Sequence, residues 1–212
     1  MLQRDRIFVK ICGITRVEDA VFASGCGADA LGFVAYPKSP RFINASSVKV
    51  IVGKIPGNVL KAAVFVNPAI AEVKKYVSAG VNIIQIHGDE TAEFAEKIAE
   101  FAEVWKTIRP ENRNDILKYK DYPAGKFLID TFIGNAYGGT GKLADWDSAK
   151  FAVENLKAPV ILAGGLNSAN IAEAVKSVHP YGIDVSSGVE SSPGVKDHGK
   201  LTILFSEIRR FR

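Results

Sequence analysis

The sequence is poor in cysteine and has no long apolar run. It contains two cysteines, Cys12 and Cys26, and no stretch of 18 or more apolar residues. Two cysteines are too few for a disulfide scaffold, and a membrane-spanning helix needs about 18 apolar residues or more. Charge enters early, at Arg4, Asp5 and Arg6, so the first residues do not resemble a secretory signal. We expect a cytoplasmic protein in reducing surroundings, with no membrane partner.

Clusters of basic residues and of histidines are also missing. The net charge of +4 comes from lysines and arginines that are dispersed along the chain, with no basic stretch interleaved with aromatics. This pattern argues against a nucleic-acid partner. The three histidines, His87, His179 and His198, show no metal-ligand spacing, so we expect no metal site.

No linker or change in composition divides the chain, and short strand-like runs alternate with segments of helical periodicity. The predicted strands are Ile7–Ile11, Ala30–Ala35, Lys61–Val66, Ile83–His87, Val104–Ile108, Lys126–Asp130, Val160–Ala163 and Ile183–Val185. A final helix is predicted over Leu201–Arg210, and the polar segment Pro110–Pro123 leaves room for a short helix only. Eight such units predict an α/β fold, a (β/α)8 TIM barrel, as a single domain over residues 1–212. An open doubly wound sheet is the alternative, but no Gly-x-Gly-x-x-Gly motif follows the first strand.

Side chains alternate between the two faces of a strand. In the first strand Ile7, Val9 and Ile11 are aliphatic and should face the helices, which places Lys10 and Cys12 inside the barrel. The same alternation predicts further inward-facing side chains at Gln85, His87, Leu128, Asp130, Asp184 and Ser186. Polar groups therefore collect at the carboxyl ends of the strands, where barrel enzymes carry their chemistry.

Cys12 and Asp130 are candidates for proton transfer. A lone cysteine is usually a small buried hydrophobe, but Lys10 on the same face should favour the thiolate, which suits a general base or nucleophile. Asp130 could cap a loop or pair with a lysine; alternatively, a partly apolar pocket raises its pKa and makes it a general acid. Cys26, which follows the first helix, is interpreted as structural.

Three other polar side chains are candidate ligand contacts. Arg41 could be solvated, but nearby prolines stiffen its loop and its guanidinium suits a carboxylate. His87 is interpreted as a hydrogen-bonding pocket residue. Asp184 could contact a substrate or simply pair with Lys10, and the sequence leaves both possibilities open.

Glycine clusters follow three of the later strands. They are Gly138-Gly139-Thr140-Gly141, Ala163-Gly164-Gly165 and Ser186-Ser187-Gly188. Glycine lets backbone N–H groups approach an anion closely, so these loops predict a phosphate site.

These residues resemble the phosphoribosylanthranilate isomerase family. The matching motifs span nearly the whole chain: Val9-Lys10-Ile11-Cys12-Gly13-Ile14-Thr15, Ser39-Pro40-Arg41, Gln85-Ile86-His87-Gly88, Leu128-Ile129-Asp130, the three glycine clusters, Asp184-Val185-Ser186-Ser187-Gly188-Val189-Glu190 and Pro193-Gly194-Val195-Lys196-Asp197. The resemblance implies an Amadori rearrangement in tryptophan biosynthesis, in which N-(5-phospho-β-D-ribosyl)anthranilate becomes 1-(2-carboxyphenylamino)-1-deoxy-D-ribulose 5-phosphate.

The same resemblance implies roles for individual residues. Cys12 is expected to be the general base and Asp130 the general acid, with no cofactor. The expected substrate contacts are Lys10, Arg41, Gln85, His87 and Asp184, with Arg41 on the anthranilate carboxylate. The expected phosphate ligands are Gly139, Thr140, Gly141, Gly164, Gly165, Ser187 and Gly188, and the helix N-terminus after the last strand should add its dipole. The partner is this small molecule, and a monomer is expected rather than a homodimer.

Three alternatives remain. A histidine-pathway isomerase of the same reaction type would carry aspartate where Cys12 stands, and a metal-dependent pentose-phosphate epimerase would need clustered histidines. The third alternative is a barrel without enzymatic activity that keeps the phosphate loops as a ligand sensor or scaffold, and the presence of both Cys12 and Asp130 argues against it.

Overall fold

Eight parallel strands close into a barrel in the computed structural model, which describes residues 6–130 and 146–211. The strands follow one another around the barrel in chain order, and β1 pairs with β8 to close it. The predicted (β/α)8 barrel is confirmed. The predicted phosphate residues Gly139, Thr140 and Gly141 lie outside the described residues.

The strands are β1 (Phe8–Cys12), β2 (Ala30–Val34), β3 (Leu60–Phe65), β4 (Ile83–Ile86), β5 (Glu103–Ile108), β6 (Lys126–Asp130), β7 (Val160–Ala163) and β8 (Gly182–Val185). The helices are α1 (Val17–Cys26), α2 (Ala45–Val52), α3 (Ile70–Ser78), α4 (Ala92–Ala99), α5 (Arg113–Leu117), α6 (Trp146–Asn155), α7 (Ile171–Val178) and α8 (His198–Ile208). The predicted strands agree with these bounds to within one residue at either end.

The two faces of the strands bury two different cores, as the alternation predicts. Outward-facing side chains such as Val9 and Ile11 pack with the helices in the larger core. A smaller cluster fills the amino-terminal end of the barrel interior: Phe8, Ala30, Ala62, Ile83, Trp105, Leu128 and Ile161. These seven side chains form an apolar floor, so polar groups one layer higher lie close to the open carboxyl end.

Local sequence accounts for the helices. In α7 the buried residues Ile171, Ala174, Val175 and Val178 recur at helical spacing, which gives one apolar face toward the barrel. The polar segment after β5 holds a five-residue helix, α5, whose first turn is closed by a capping box from Asn112. Among the described residues, no helix has the length and apolar character needed to cross a membrane.

The segment between β8 and α8 differs from the prediction. A 3-10 turn, Ser187–Val189, follows β8 directly, where the N-terminus of a helix was expected, and an antiparallel hairpin comes before the final helix, formed by β9 (Glu190–Ser192) and β10 (Val195–Lys196). The tight turn between these strands contains Gly194 at φ +82°, a conformation that favours glycine. The final helix begins at His198, three residues before the predicted start, because Asp197 caps it by accepting a hydrogen bond from the N–H of Lys200.

Candidate active site

The thiol of Cys12 and the ammonium of Lys10 lie together at the carboxyl end of β1. Both residues are buried, and Lys10 Nζ is 2.9 Å from Asp184 Oδ2 on the neighbouring strand β8. Gly32 on β2 leaves the space that they occupy: a Cβ there would lie 2.7 Å from Cys12 Sγ and 3.1 Å from Lys10 Nζ. The prediction that Lys10 and Cys12 face the interior is confirmed.

Burial dominates the ionisation of Cys12. It raises the pKa of the thiol, and Asp184 acts in the same direction, whereas Lys10 and Lys196 lower it. Lys10 therefore acts in the predicted direction and favours the thiolate, but loss of hydration outweighs its positive charge and leaves the pKa of the thiol raised. For Lys10 itself burial acts against the charge, but Asp184 and Cys12 together hold its pKa above the usual value.

Asp184 pairs with Lys10 through one carboxylate oxygen, as predicted, and its other oxygen is available as a hydrogen-bond acceptor. Its second oxygen, Oδ1, is buried and has no hydrogen-bond partner in the part of the chain that is described. Gln85 is in the same position: its Nε2 donates to Thr107 Oγ1 at 3.0 Å, and its Oε1 has no partner there. Two buried acceptors inside the barrel can thus take hydrogen bonds from a polyhydroxylated ligand.

Asp130 lies at the end of β6 beside a histidine and an arginine. His87 Nε2 is 3.7 Å from Asp130 Oδ2, and Arg109 Nε donates to His87 Nε2 at 3.0 Å. Burial, and next the charge of Arg109, lowers the pKa of His87 to about 3, so His87 is neutral at pH 7. Burial also raises the pKa of Asp130, with Asp184 adding to the effect and Arg109 opposing it. The predicted direction for Asp130 is confirmed.

Arg109 was not predicted from the sequence, although strand alternation from the inward-facing Thr107 points to it. It lines a pocket of about 400 Å³ together with His87 and Thr107, on the β4–β5 side of the barrel mouth.

A buried ion pair fixes the loop that carries His87. Lys106 Nζ lies 2.9 Å from Glu90 Oε2 and donates to the carbonyl oxygen of Gly88 at 2.5 Å. Glu90 in turn accepts from the N–H of Gly88. Lys106 sits on the outward face of β5, so the pair positions the loop from outside the barrel.

Arg41 was predicted to hold a substrate carboxylate, and here it contacts a carboxylate of the chain itself. Its Nε lies 2.9 Å from Glu190 Oε1 and its Nη2 lies 2.6 Å from Glu190 Oε2. Glu190 also pairs with Lys196 at 2.8 Å, and Lys196 Nζ donates to the carbonyl oxygen of Cys12 at 2.5 Å. Neither Glu190 nor Lys196 was predicted to act in the site, although the Pro193-Gly194 pair between them is a turn signal that indicates the hairpin.

The two glycine loops within the described residues lie against each other. Gly164 and Gly165 both have positive φ, at 92° and 64°. In the next loop Gly188 packs so closely on the carbonyl oxygen of Leu166 that no Cβ fits between them. The loops after β7 and β8 are thereby held together, and Ser187 starts a single 3-10 turn there, too short to carry the dipole expected of a helix.

No group of three or more His, Cys, Asp or Glu side chains in the described ranges is arranged to hold a metal ion. The chemically distinctive groups of this end of the barrel are a thiol, a carboxyl group of raised pKa, a neutral imidazole and several cations. Such a set can move protons and bind anions.

Comparisons with known proteins identify the family of this chain. The sequence model of the N-(5'-phosphoribosyl)anthranilate (PRA) isomerase family matches residues 9–207. The N-(5'-phosphoribosyl)anthranilate isomerase of Geotalea uraniireducens is 43% identical over 194 residues, which cover 91% of this chain and 94% of that protein.

Solved structures of the same family have the same fold. The phosphoribosyl anthranilate isomerase of Thermotoga maritima superimposes with a TM-score of 0.88 at 38% identity, covering 96% of this chain and 99% of that one. Another isomerase of this kind, in complex with reduced 1-(o-carboxyphenylamino)-1-deoxyribulose 5-phosphate, gives a TM-score of 0.84 at 36% identity over 96% and 99% of the two chains. The barrel and the polar residues at its carboxyl end, together with a family match over nearly the whole chain, establish that this chain belongs to the N-(5'-phosphoribosyl)anthranilate isomerase family.

Proposed function

We propose that this chain converts N-(5-phospho-β-D-ribosyl)anthranilate into 1-(2-carboxyphenylamino)-1-deoxy-D-ribulose 5-phosphate, with Asp130 as general acid and Cys12 as general base. The observation that carries the assignment is that Cys12 is the last residue of β1 and Asp130 the last residue of β6, at the same end of one closed barrel. The charge of Asp184 acts on both residues and raises the pKa of each.

The first step is opening of the ribose ring. Asp130 donates its proton to the ring oxygen, the bond from that oxygen to C1 breaks, and the nitrogen lone pair forms a C1=N iminium. An acid with a raised pKa keeps its proton nearer to neutral pH, which suits this role.

The second step moves the C2 proton. Cys12 as thiolate removes it, the C–H electrons form a C1=C2 bond, and the iminium electrons return to nitrogen. The resulting enolamine becomes the ketone when the C2 hydroxyl loses its proton and C1 gains one. Because the nitrogen of the substrate accepts the electrons, these two reaction steps need no cofactor.

The remaining predicted contacts serve recognition. Arg41 binds the anthranilate carboxylate, and the free acceptors of Asp184 and Gln85 take hydrogen bonds from ribose hydroxyls. His87 lies beside the acid and Lys10 beside the base. Backbone N–H groups of the glycine loops bind the phosphate; the residues in that role are Gly164, Gly165, Ser187 and Gly188, with Gly139, Thr140 and Gly141 from the segment that is not described.

Two substitutions test the catalytic roles. Cys12→Ser and Asp130→Asn should each lower kcat by roughly 10²–10⁴-fold, the usual contribution of a general base or acid. Turnover is followed as the loss of substrate fluorescence, with substrate generated from anthranilate and ribose 5-phosphate. Both variants should still bind the reduced product analogue in calorimetry, since neither change removes a charged ligand contact.

Cys26→Ser is the matched control, because Cys26 is a half-buried cysteine at the far end of α1, and it should retain wild-type kcat. Wild-type activity should also persist in chelator. Near-normal kcat in Cys12→Ser would exclude the thiol as base, and loss of activity in chelator with recovery on adding zinc or iron would overturn the metal-free mechanism.

Location, assembly and domain extent follow the same proposal. We infer a cytoplasmic monomer that folds as one domain over residues 1–212. Light scattering on the purified protein measures the assembly state directly, and a mass of twice 22.9 kDa would replace the monomer with a homodimer.

A further inference from the structure

The contact between Arg41 and Glu190 uses one specific edge of the guanidinium. A guanidinium offers two bidentate edges to a carboxylate, the Nε/Nη2 side and the Nη1/Nη2 end. Glu190 occupies the side, through Nε at 2.9 Å and Nη2 at 2.6 Å. Glu190 therefore leaves the Nη1/Nη2 end of the guanidinium for a second carboxylate.

The backbone of Gly13 sets the path of the Arg41 side chain. Gly13 follows Cys12 directly and has a φ of +79°. A Cβ on it would lie 2.7 Å from Arg41 Cδ and 3.4 Å from Glu190 Oε1, so the ion pair crosses this glycine at van der Waals distance. Arg41 is thus placed beside the residue proposed as general base.

Glu190 is itself rigidly held. Its side chain is 5% exposed, it accepts from Lys196 Nζ at 2.8 Å, and Oε1 also accepts from the N–H of Gly194 at 3.2 Å. Lys196 is fully buried and donates to the carbonyl oxygens of Cys12 and Ser186. Glu190 and Lys196 therefore connect the loop of Arg41, the hairpin and the end of β1 in one hydrogen-bonded network.

The three side chains that pair in this network carry unequal charge, because Arg41 and Lys196 are both cations and Glu190 is the one carboxylate between them. Asp19 also lies beside Lys196, but it accepts from the backbone N–H of Lys196 and its side chain pairs with His198. A single incoming carboxylate completes the set, and the guanidinium edge that can bind it in bidentate fashion is the one that Glu190 leaves open.

We propose that Glu190 is a positioning residue that presents the Nη1/Nη2 edge of Arg41 to the substrate carboxylate and, through Lys196, fixes that edge relative to Cys12. This inference rests on the proposed function, in which Arg41 binds the anthranilate carboxylate. It assigns to the hairpin β9–β10 a part in substrate recognition.

The test compares two ligands that differ in one carboxylate. The probes are reduced 1-(2-carboxyphenylamino)-1-deoxyribulose 5-phosphate and the same compound without the ring carboxylate, both measured by calorimetry. In wild type the carboxylate should improve binding by about 10- to 100-fold, the range for hydrogen bonds to charged groups. In Glu190→Gln that ratio should shrink at least about tenfold, because a neutral amide no longer holds the guanidinium side-on.

A merely structural role predicts a different result, in which both ligands weaken equally and the ratio is unchanged. The matched control is Glu90→Gln, which removes another buried carboxylate that pairs with a buried lysine but does not touch Arg41. In Glu90→Gln the ratio of the two binding affinities, with and without the ring carboxylate, should equal that of wild type even if the variant is less stable.

A second variant keeps the test decisive if Glu190→Gln leaves Lys196 buried without its partner and fails to fold. The double variant Glu190→Gln/Lys196→Met removes both charges together, which costs less than removing one. An unchanged ratio in a folded variant overturns the proposal. If wild type itself gains nothing from the carboxylate, or turns over no substrate, the proposed function fails instead.

Discussion

At the scale of single residues, burial shifts the pKa of the proposed acid and that of the proposed base in the same direction. It raises the pKa of Asp130, which favours the protonated form that a general acid needs, and it raises the pKa of the Cys12 thiol, which disfavours the thiolate that a general base needs. The form of the site that reacts holds a protonated Asp130 and an ionised Cys12. We therefore expect kcat to follow a bell-shaped curve against pH.

The ionisation of Cys12 can be measured directly in a Cys26→Ser background. The thiolate absorbance near 240 nm should appear only at a pH above the usual cysteine pKa, because burial raises the pKa of the thiol. Lys10→Met should move the transition to still higher pH, since it removes a cation that favours the thiolate. A transition at or below the ordinary cysteine pKa in a protein that keeps Lys10 would contradict the claim that burial raises the pKa of the thiol. Lys118→Met, on the exposed surface, is the control for the loss of one positive charge.

Gly32 is essential to the space around the thiol. Gly32→Ala would put a methyl group 2.7 Å from Cys12 Sγ, so the sulfur must move. Because a displacement of about 1 Å in a reacting group can cost roughly 10²-fold, kcat should fall by that order while the protein stays folded. The measurement is kcat together with circular dichroism.

Gly25→Ala is the control for that substitution. Gly25 lies in α1, and nothing lies within 4 Å of an added Cβ there. It should leave kcat unchanged and stabilise the helix by about 0.5–1 kcal/mol. Equal kcat in the two variants would show that the thiol does not depend on the space at Gly32.

Which site residues the sequence reveals depends on how local their signal is. Lys10, Cys12 and Asp130 were predicted because a strand's two-residue period and its carboxyl end are visible in a few consecutive letters. Glu190 was not, because its partner Arg41 is 149 residues away in the chain and no local pattern connects them. The net effect of burial on Cys12 was also missed, since it depends on how many neighbours surround the sulfur.

At the scale of elements, the strands were predicted well and the segment after β8 was not. Eight buried parallel strands leave continuous apolar runs that mark their bounds within one residue. The hairpin β9–β10 has strands of three and two residues, too short for any periodicity to show. A single turn of 3-10 helix follows β8, where a helix N-terminus was expected to add its dipole. The proposed phosphate site therefore depends mainly on loop N–H groups.

The contact between the loops after β7 and β8 can be tested by Gly188→Ala. The added methyl group would collide with the carbonyl oxygen of Leu166 and force the two loops apart. The reduced product analogue should bind about tenfold more weakly, a loss of roughly 1.4 kcal/mol, while the analogue without its phosphate should be unaffected. Gly57→Ala, where an added Cβ meets nothing within 4 Å, is the control. Equal weakening of both analogues would mean that these loops do not bind the phosphate.

At the scale of the whole molecule, the barrel separates stability from chemistry along its axis. The apolar floor closes one end of the barrel. The next layer of inward-facing side chains toward the carboxyl end contains Lys10, Gln85 and Asp184. Buried charge is costly, so this layer must be supported by packing elsewhere. The floor and the helix-facing core provide that packing.

Trp105 is the test of this division. Its side chain is fully buried in the floor, packs edge-to-face on Phe8 at 6.0 Å between ring centroids and lies under Lys126, while its indole N–H donates to Glu103. Trp105→Ala should lower the free energy of unfolding by about 3–5 kcal/mol, the usual range for removing a large buried aromatic side chain. Urea denaturation followed by circular dichroism measures the loss.

The same variant should keep most of its kcat at temperatures where it is folded, because the ring and hydrogen-bond contacts described for Trp105 are with Phe8, Lys126 and Glu103, none of which is proposed to act on the substrate. Ile203→Ala on α8 is the surface control: this side chain is 53% exposed, and its removal should change the unfolding free energy by no more than about 0.5 kcal/mol. A loss of kcat in fully folded Trp105→Ala as large as that in a Cys12 or Asp130 variant would contradict this division. It would mean that the floor and the polar layer above it are coupled.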